Sequence, residues 1–158
     1  STTNHPNVLS PTKLKFYSTD DTNPTYFSQI IVSDESTIGF ELASLTPNQQ
    51  GVYNEWDGDY TTELSTPVAG KRETWRNENI PDNKVIKSLV VNVKSKKKTS
   101  GPNVSVITRT GNAEDSYAIT SSDTQFNPST VVVDTDPLNG NQWTVTSLNN
   151  SEIGIKSV

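Results

Sequence analysis

Two runs of alternating residues constrain this chain more than anything else in it. Over residues 84–94, Val85, Lys87, Leu89, Val91 and Val93 fall on one side, and Ile86, Ser88, Val90, Asn92 and Lys94 on the other. Successive side chains of an extended backbone point to opposite faces, so a sustained period of two predicts a long, half-buried strand. Over residues 104–110, Val104, Val106 and Thr108 alternate with Ser105, Ile107 and Arg109 in the same way. The intervening residues 95–103, with three consecutive lysines and Gly101-Pro102, read as a hairpin-like connection. A chain organised around such runs must bury one face of a sheet.

Composition says the same of the rest. Thr, Ser and Asn number 21, 19 and 16, while Ala appears only four times. β-Branching and side chains that compete for backbone hydrogen bonds disfavour helix, and β-branching favours strand. Further short strands are predicted at residues 13–17, 29–33, 37–42, 59–63, 71–76 (carrying Trp75), 116–120, 124–127, 130–134 and 151–158, with turns at Pro24, Gly111-Asn112 and residues 136–142. Eight or more strands at this spacing predict an all-β fold: an antiparallel, jelly-roll-like β-sandwich. Residues 1–12, polar and punctuated by Pro6 and Pro11, read as an extended N-terminal arm. Residues 13–158 then form one β-sandwich domain with long loops at 43–70. Leu, Ile, Val and Phe number 36 in 158 residues, too few to supply two separate cores.

Absences narrow the chemistry. Without cysteine there is no disulfide scaffold, thiolate metal site or thiol nucleophile. The single histidine, His5, lies in the polar arm, where a catalytic triad or a histidine metal site has nothing to build on. No run of about 18 apolar residues predicts a membrane-spanning helix, and Ser-Thr-Thr-Asn at the start lacks the basic and apolar regions of a signal peptide. Neither a Gly-x-Gly-x-x-Gly nor a Walker pattern occurs. The expectation is a protein that is not an enzyme and needs no cofactor.

Two clusters remain. In residues 54–60, Trp56 and Tyr60, with Tyr53 beside them, form a candidate glycan platform: rings to stack on a sugar, and the carboxylates of Asp57 and Asp59 to accept its hydroxyls. The same Asp-Gly-Asp also reads as an ordinary turn, or as oxygen ligands for calcium without the further spaced ligands such a loop needs. The second cluster is electrostatic. Residues 1–70 carry nine acidic and two basic groups, residues 71–109 three and ten, and residues 110–158 six and one. The basic block holds Lys94, Lys96, Lys97 and Lys98. With no aromatic among these lysines and an acidic chain overall, a solvated loop or a contact to an acidic protein surface is expected, not nucleic acid.

The C-terminal part carries a resemblance. Asp136-Pro137-Leu138-Asn139-Gly140-Asn141-Gln142-Trp143-Thr144, followed after a spacer by Ile153-Gly154-Ile155-Lys156-Ser157-Val158, resembles the closing motif of β-sandwich domains in tailed-bacteriophage virion proteins. Those domains end with Asn/Asp-Pro, a Gly-containing loop, Trp-Thr, and then Gly-x-Lys in a last strand. Trp75, Pro81-Asp82, Val85-Ile86, Val91 and Val93 match upstream, so the likeness covers residues 72–158. By the residues alone, Trp143 caps the open end of a sandwich, burying up to ~200 Å², and Gly154 permits a close backbone approach or a bulge. The resemblance implies a head decoration (cement) protein that binds the major capsid protein on the outer shell and holds adjoining subunits. It implies a homo-oligomer, with a trimer favoured, made in the host cytoplasm. His5, Pro6, Asn7, Val8 and Leu9 of the arm, with the four lysines, are the candidate capsid or subunit contacts. The alternative is a tail- or neck-fibre receptor-binding or carbohydrate-binding module using the residue 53–60 platform.

Overall fold

The computed structural model describes residues 42–59, 63–97, 101–121 and 125–158. The chain divides into two units, Ser1–Ala43 and Ser44–Val158, and every described strand belongs to the second. The strands expected at residues 13–17 and 29–33, that expected at 37–42 up to residue 41, and the boundary of the arm after residue 12 lie outside the described residues; Leu42 is described and is not in a strand.

The described residues form nine strands and one short helix, in the order β1 (Pro47–Asn54), β2 (Asp57–Asp59), β3 (Glu63–Ser65), β4 (Arg72–Asn77), β5 (Leu89–Ser95), β6 (Val104–Thr110), β7 (Ala113–Ala118), β8 (Asn127–Val133), α1 (Val145–Asn149) and β9 (Ser151–Ser157). Five of them form an antiparallel sheet in the order β1-β4-β9-β6-β7. The ribbon β5–β8, antiparallel and in unbroken register from Leu89↔Val133 to Ser95↔Asn127, packs over one face of that sheet. The fold is an all-β antiparallel sandwich. Its core joins Leu89, Val131 and Val133 of the ribbon to Val106 of the sheet, with Trp143 and Leu148 closing one end.

β4, β6 and β9 form within a residue of the strands expected at 71–76, 104–110 and 151–158, and Val106 and Ile153 of the latter two face the core. The expected long strand over 84–94 is shorter: it starts at Leu89, and its phase changes before that point. Val85 is 80 % exposed, and Ile86 instead packs on the core. Residues 80–86 are held as an irregular segment. Asn149 binds it twice, accepting from the Ile80 amide at 2.8 Å and donating to the Ile80 carbonyl at 2.9 Å, and Gln142 Nε2 donates to the Ile86 carbonyl at 2.9 Å.

Other departures have local causes. The span 43–70 is not all loop, because it contains β1 and the β2–β3 hairpin. The strand expected at 59–63 straddles the junction of that hairpin, whose Gly58 has φ +114° and lies so close to the Glu63 carbonyl that a Cβ would collide with it. β7 begins directly after the Gly111-Asn112 turn, at Ala113, not at Ser116. β8 runs as one strand through Pro128 because Pro128 opposes Lys94 near one end of the ladder and, among the described residues, β5 is the only strand that β8 pairs with. Helix α1 exists through its cap: Ser147 N donates to Thr144 Oγ1 at 3.0 Å, and Thr144 N to Ser147 Oγ at 3.1 Å.

Trp143 is 3 % exposed and donates its indole N–H to the Val133 carbonyl at 3.1 Å, the end-capping role its position predicts. Gly154 sits where a Cβ would run into the Glu73 carbonyl, so the close approach of β4 to β9 requires glycine there.

Candidate functional site

Opposed residues of an antiparallel pair share a face, so the register puts the alternate residues of the five-stranded sheet on the side away from the ribbon. There, β4 presents Arg72, Thr74 and Arg76, β9 presents Glu152, Gly154 and Lys156, β6 presents Ile107 and Arg109, and β7 presents Glu114. These charges pair across strands. Arg109 Nη1 and Arg76 Nε lie 3.4 and 3.9 Å from Glu152 Oε1, while Arg72 Nε and Lys156 Nζ lie 3.4 and 3.6 Å from the two oxygens of Glu114.

The network has a roof. β1 pairs Gln50 with Trp75 and then Asn54 with Glu73, so it carries extra residues over that interval. This bulge folds back on the sheet. Gly51 passes so close to Thr74 and Glu152 that a Cβ would overlap Thr74 Oγ1, and Tyr53 N donates to that hydroxyl at 3.1 Å. The Tyr53 ring lies under two guanidinium groups, 4.8 Å from Arg72 Cζ and 5.8 Å from Arg109 Cζ. Glu152, only 2 % exposed, has its second oxygen filled by Val52 N at 3.0 Å and Thr74 Oγ1 at 2.8 Å. Glu73 is equally enclosed, accepting from Gln50 Nε2 at 2.8 Å and Trp56 N at 3.1 Å. A buried carboxylate is tolerable only with such partners. Both carboxylates are held in place by structural bonds, so the arrangement works as a clamp on the edge strand.

The residue 53–60 platform comes apart on this framework. Tyr53 turns to the arginines. Trp56 is half-buried and donates its indole N–H to the Lys71 carbonyl at 3.1 Å. Asp57 is exposed in β2, Asp59 ends that strand, and Tyr60 lies outside the described residues. Among the lysines, Lys94 and Lys96 are exposed and Lys97 half-buried, while Lys98 lies outside the described residues, as do His5, Pro6, Asn7, Val8 and Leu9. Among the described residues no three His, Cys, Asp or Glu side chains are grouped to hold a metal ion, and no helix is long and apolar enough to cross a membrane.

Two further surfaces stand out. The ribbon's outward face carries Val90 and Val132, a cross-strand pair 48 % and 56 % exposed, beside the Asn92–Thr130 hydrogen bond of 2.7 Å. At the closed end of the core, an open groove of about 350 Å³ runs between Asp82, Val85 and Ile86 on one side and Trp143, Thr144 and Val145 on the other. Sequence reading missed the clamp. Its signal was charge at alternate positions of two strands, Arg72/Arg76 and Glu152/Lys156, which becomes legible only once those strands are known to be neighbours. Comparisons of the chain with protein-family models, curated proteins and solved structures find no match.

Proposed function

We propose that this chain is a non-enzymatic virion structural protein of a tailed bacteriophage, a decoration protein that binds the major capsid protein on the outer head surface and holds adjoining shell subunits together. One contrast carries the reading. The acidic and aromatic groups with the most chemical potential, Glu73, Glu152, Tyr53 and Trp56, are engaged in bonds that hold β1 to the sheet. The apolar side chains Val90, Val132 and Phe126 are instead turned to solvent. Exposed apolar pairs on a flat ribbon suit contact with protein. The resemblance of residues 136–158 to the closing motif of virion domains supplies the context, with both of its distinctive residues, Trp143 and Gly154, in structural roles.

The fibre or carbohydrate-binding alternative has less support, because the Tyr53 ring faces Arg72 and Arg109 while the half-buried Trp56 indole bonds the Lys71 carbonyl, so the two rings do not form one outward platform. Co-sedimentation with heads of the phage that encodes the chain tests the proposal. Saturable binding that is lost on deleting residues 1–12 is expected. Failure to bind heads, together with Trp56-dependent binding on a glycan array, would overturn it.

A further inference from the structure

Asn139-Gly140 is the sole Asn-Gly pair in the sequence, and it lies in the loop that leads into Trp143. An Asn-Gly pair is open to spontaneous deamidation, because glycine has no side chain to keep its nitrogen from the preceding Asn side chain. A bridge between Thr135 and Gln142 closes the neck of the loop. Inside it, Asp136 N donates to the Asn141 carbonyl at 2.8 Å, and the Asp136 carbonyl accepts Asn139 N at 3.3 Å and Gly140 N at 2.8 Å. Gly140 turns the chain in the left-handed region, at φ +70°, with open space where a Cβ would stand. Asn139 and Gly140 are exposed, whereas Asp136 is only 1 % exposed and its carboxylate accepts Leu138 N at 2.9 Å. Asn141 N holds the Asn139 side-chain oxygen at 2.8 Å.

We infer that Asn139 is a modification site gated by this loop: it converts to aspartate and isoaspartate only when the Gly140 N–H leaves the Asp136 carbonyl. The Gly140 nitrogen then attacks Asn139 Cγ and closes a succinimide ring. Its proton passes through water to Nδ2, and the Cγ–Nδ2 bond breaks to release ammonia. A water molecule next opens the ring. Scission between the Gly140 nitrogen and Cγ leaves aspartate, and scission at the Asn139 main-chain carbonyl leaves isoaspartate; nothing is oxidised or reduced. In the closed loop the proton of that nitrogen is committed to a carbonyl of a buried residue, and Asn141 fixes the side-chain amide. Ring closure therefore waits on opening of the loop, and its rate follows the open population. IsoAsp routes the main chain through the former Cβ and lengthens it by one atom, which takes Gly140 and Asn141 out of register with Asp136. Gln142 and Trp143 follow directly, so the damage reaches the indole that caps the core. The reaction leaves a covalent record that this end of the sandwich has opened.

The test is incubation of the full chain at neutral pH, with peptide mapping by mass spectrometry to follow aspartate and isoaspartate at position 139. Conversion in the folded chain is expected to run at least about tenfold more slowly than in the same chain unfolded by guanidinium chloride. Asp136→Ala takes away the acceptor of Leu138 N and is expected to speed conversion in the folded chain about tenfold. The parent chain alone covers the case in which that variant does not fold. Across guanidinium concentrations below its unfolding transition, conversion of Asn139 and hydrogen exchange of the Gly140 amide should rise in proportion. Equal rates in the folded and unfolded chain, an unfolded chain that leaves Asn139 intact, a folded Asp136→Ala variant no faster than the parent, or conversion that does not track Gly140 exchange would overturn the inference.

Discussion

Glu152 Oε2 accepts the backbone N–H of Val52 at 3.0 Å, tying the bulge of the edge strand to the last strand across 100 residues of sequence. Arg109, Arg76 and Thr74 fill the remaining positions around the carboxylate. Removing one partner of a buried ion pair strands the other, so Glu152→Gln is expected to cost about 3 kcal/mol. Arg76 is half in solvent, and Arg76→Gln is expected to cost no more than about 1 kcal/mol. Urea midpoints of the two variants, at unchanged slope, make the comparison.

Glycines give a sharper contrast. In Gly154→Ala a methyl group meets the Glu73 carbonyl, and in Gly51→Ala one meets Thr74 Oγ1 and Glu152; overpacking of this kind costs about 1–3 kcal/mol. Gly140 has φ +70° and open space around it, so Gly140→Ala carries only the left-handed penalty of about 1–2 kcal/mol. Thermal melts should rank Gly154→Ala lowest and place Gly51→Ala and Gly140→Ala between it and the parent.

Trp143 joins packing to a hydrogen bond. Trp143→Ala empties the end of the core and is expected to cost about 3–5 kcal/mol. Trp143→Phe keeps most of the packing but leaves the Val133 carbonyl without its indole donor, at about 1–3 kcal/mol. Next to it, Thr144→Ala removes the cap of α1 for about 1 kcal/mol. Chemical denaturation orders the three.

Tyr117, opposite Val106 on the core side of β7, is raised above the ordinary phenol value of 10.0 by burial, and the charges of Asp115 and Asp134 add to the shift, while the nearby Thr108 hydroxyl works against it. The folded state therefore holds this proton more tightly than the unfolded chain. The corresponding stability is fully present below pH 10.0 and is lost as pH rises through the folded value. Phenolate absorbance should show a late-ionising component that Tyr117→Phe removes. Ionisation of that component together with the other tyrosines would refute the assignment.

Local pattern made much of this fold legible. β6 and β9 stand where alternation placed them, β4 stands within a residue of the strand expected at 71–76, and Trp143 and Gly154 do what a tryptophan after a Pro/Gly loop and a glycine within a strand are expected to do. What escaped was set by distant partners. Ile86 and not Val85 reaches the core because Gln142 and Asn149 fix the segment before β5. β1, with Gln49, Gln50 and Gly51 where apolar residues would normally signal a strand, is held by its bonds to β4 and Glu152. α1 rests on a Thr144–Ser147 box without the Glu or Gln that usually marks one. The same holds for the site: Tyr53 and Trp56 were visible as aromatics, but their commitment to Arg72, Arg109 and Lys71 depends on strand order.

Quantitative mass spectrometry of purified virions tests the central claim most directly. The account predicts this chain in the particle, in a fixed ratio to the major shell subunit set by the number of decorated capsomers. Absence from the particle, or a copy number matching a tail or neck fibre and not the shell, would contradict it.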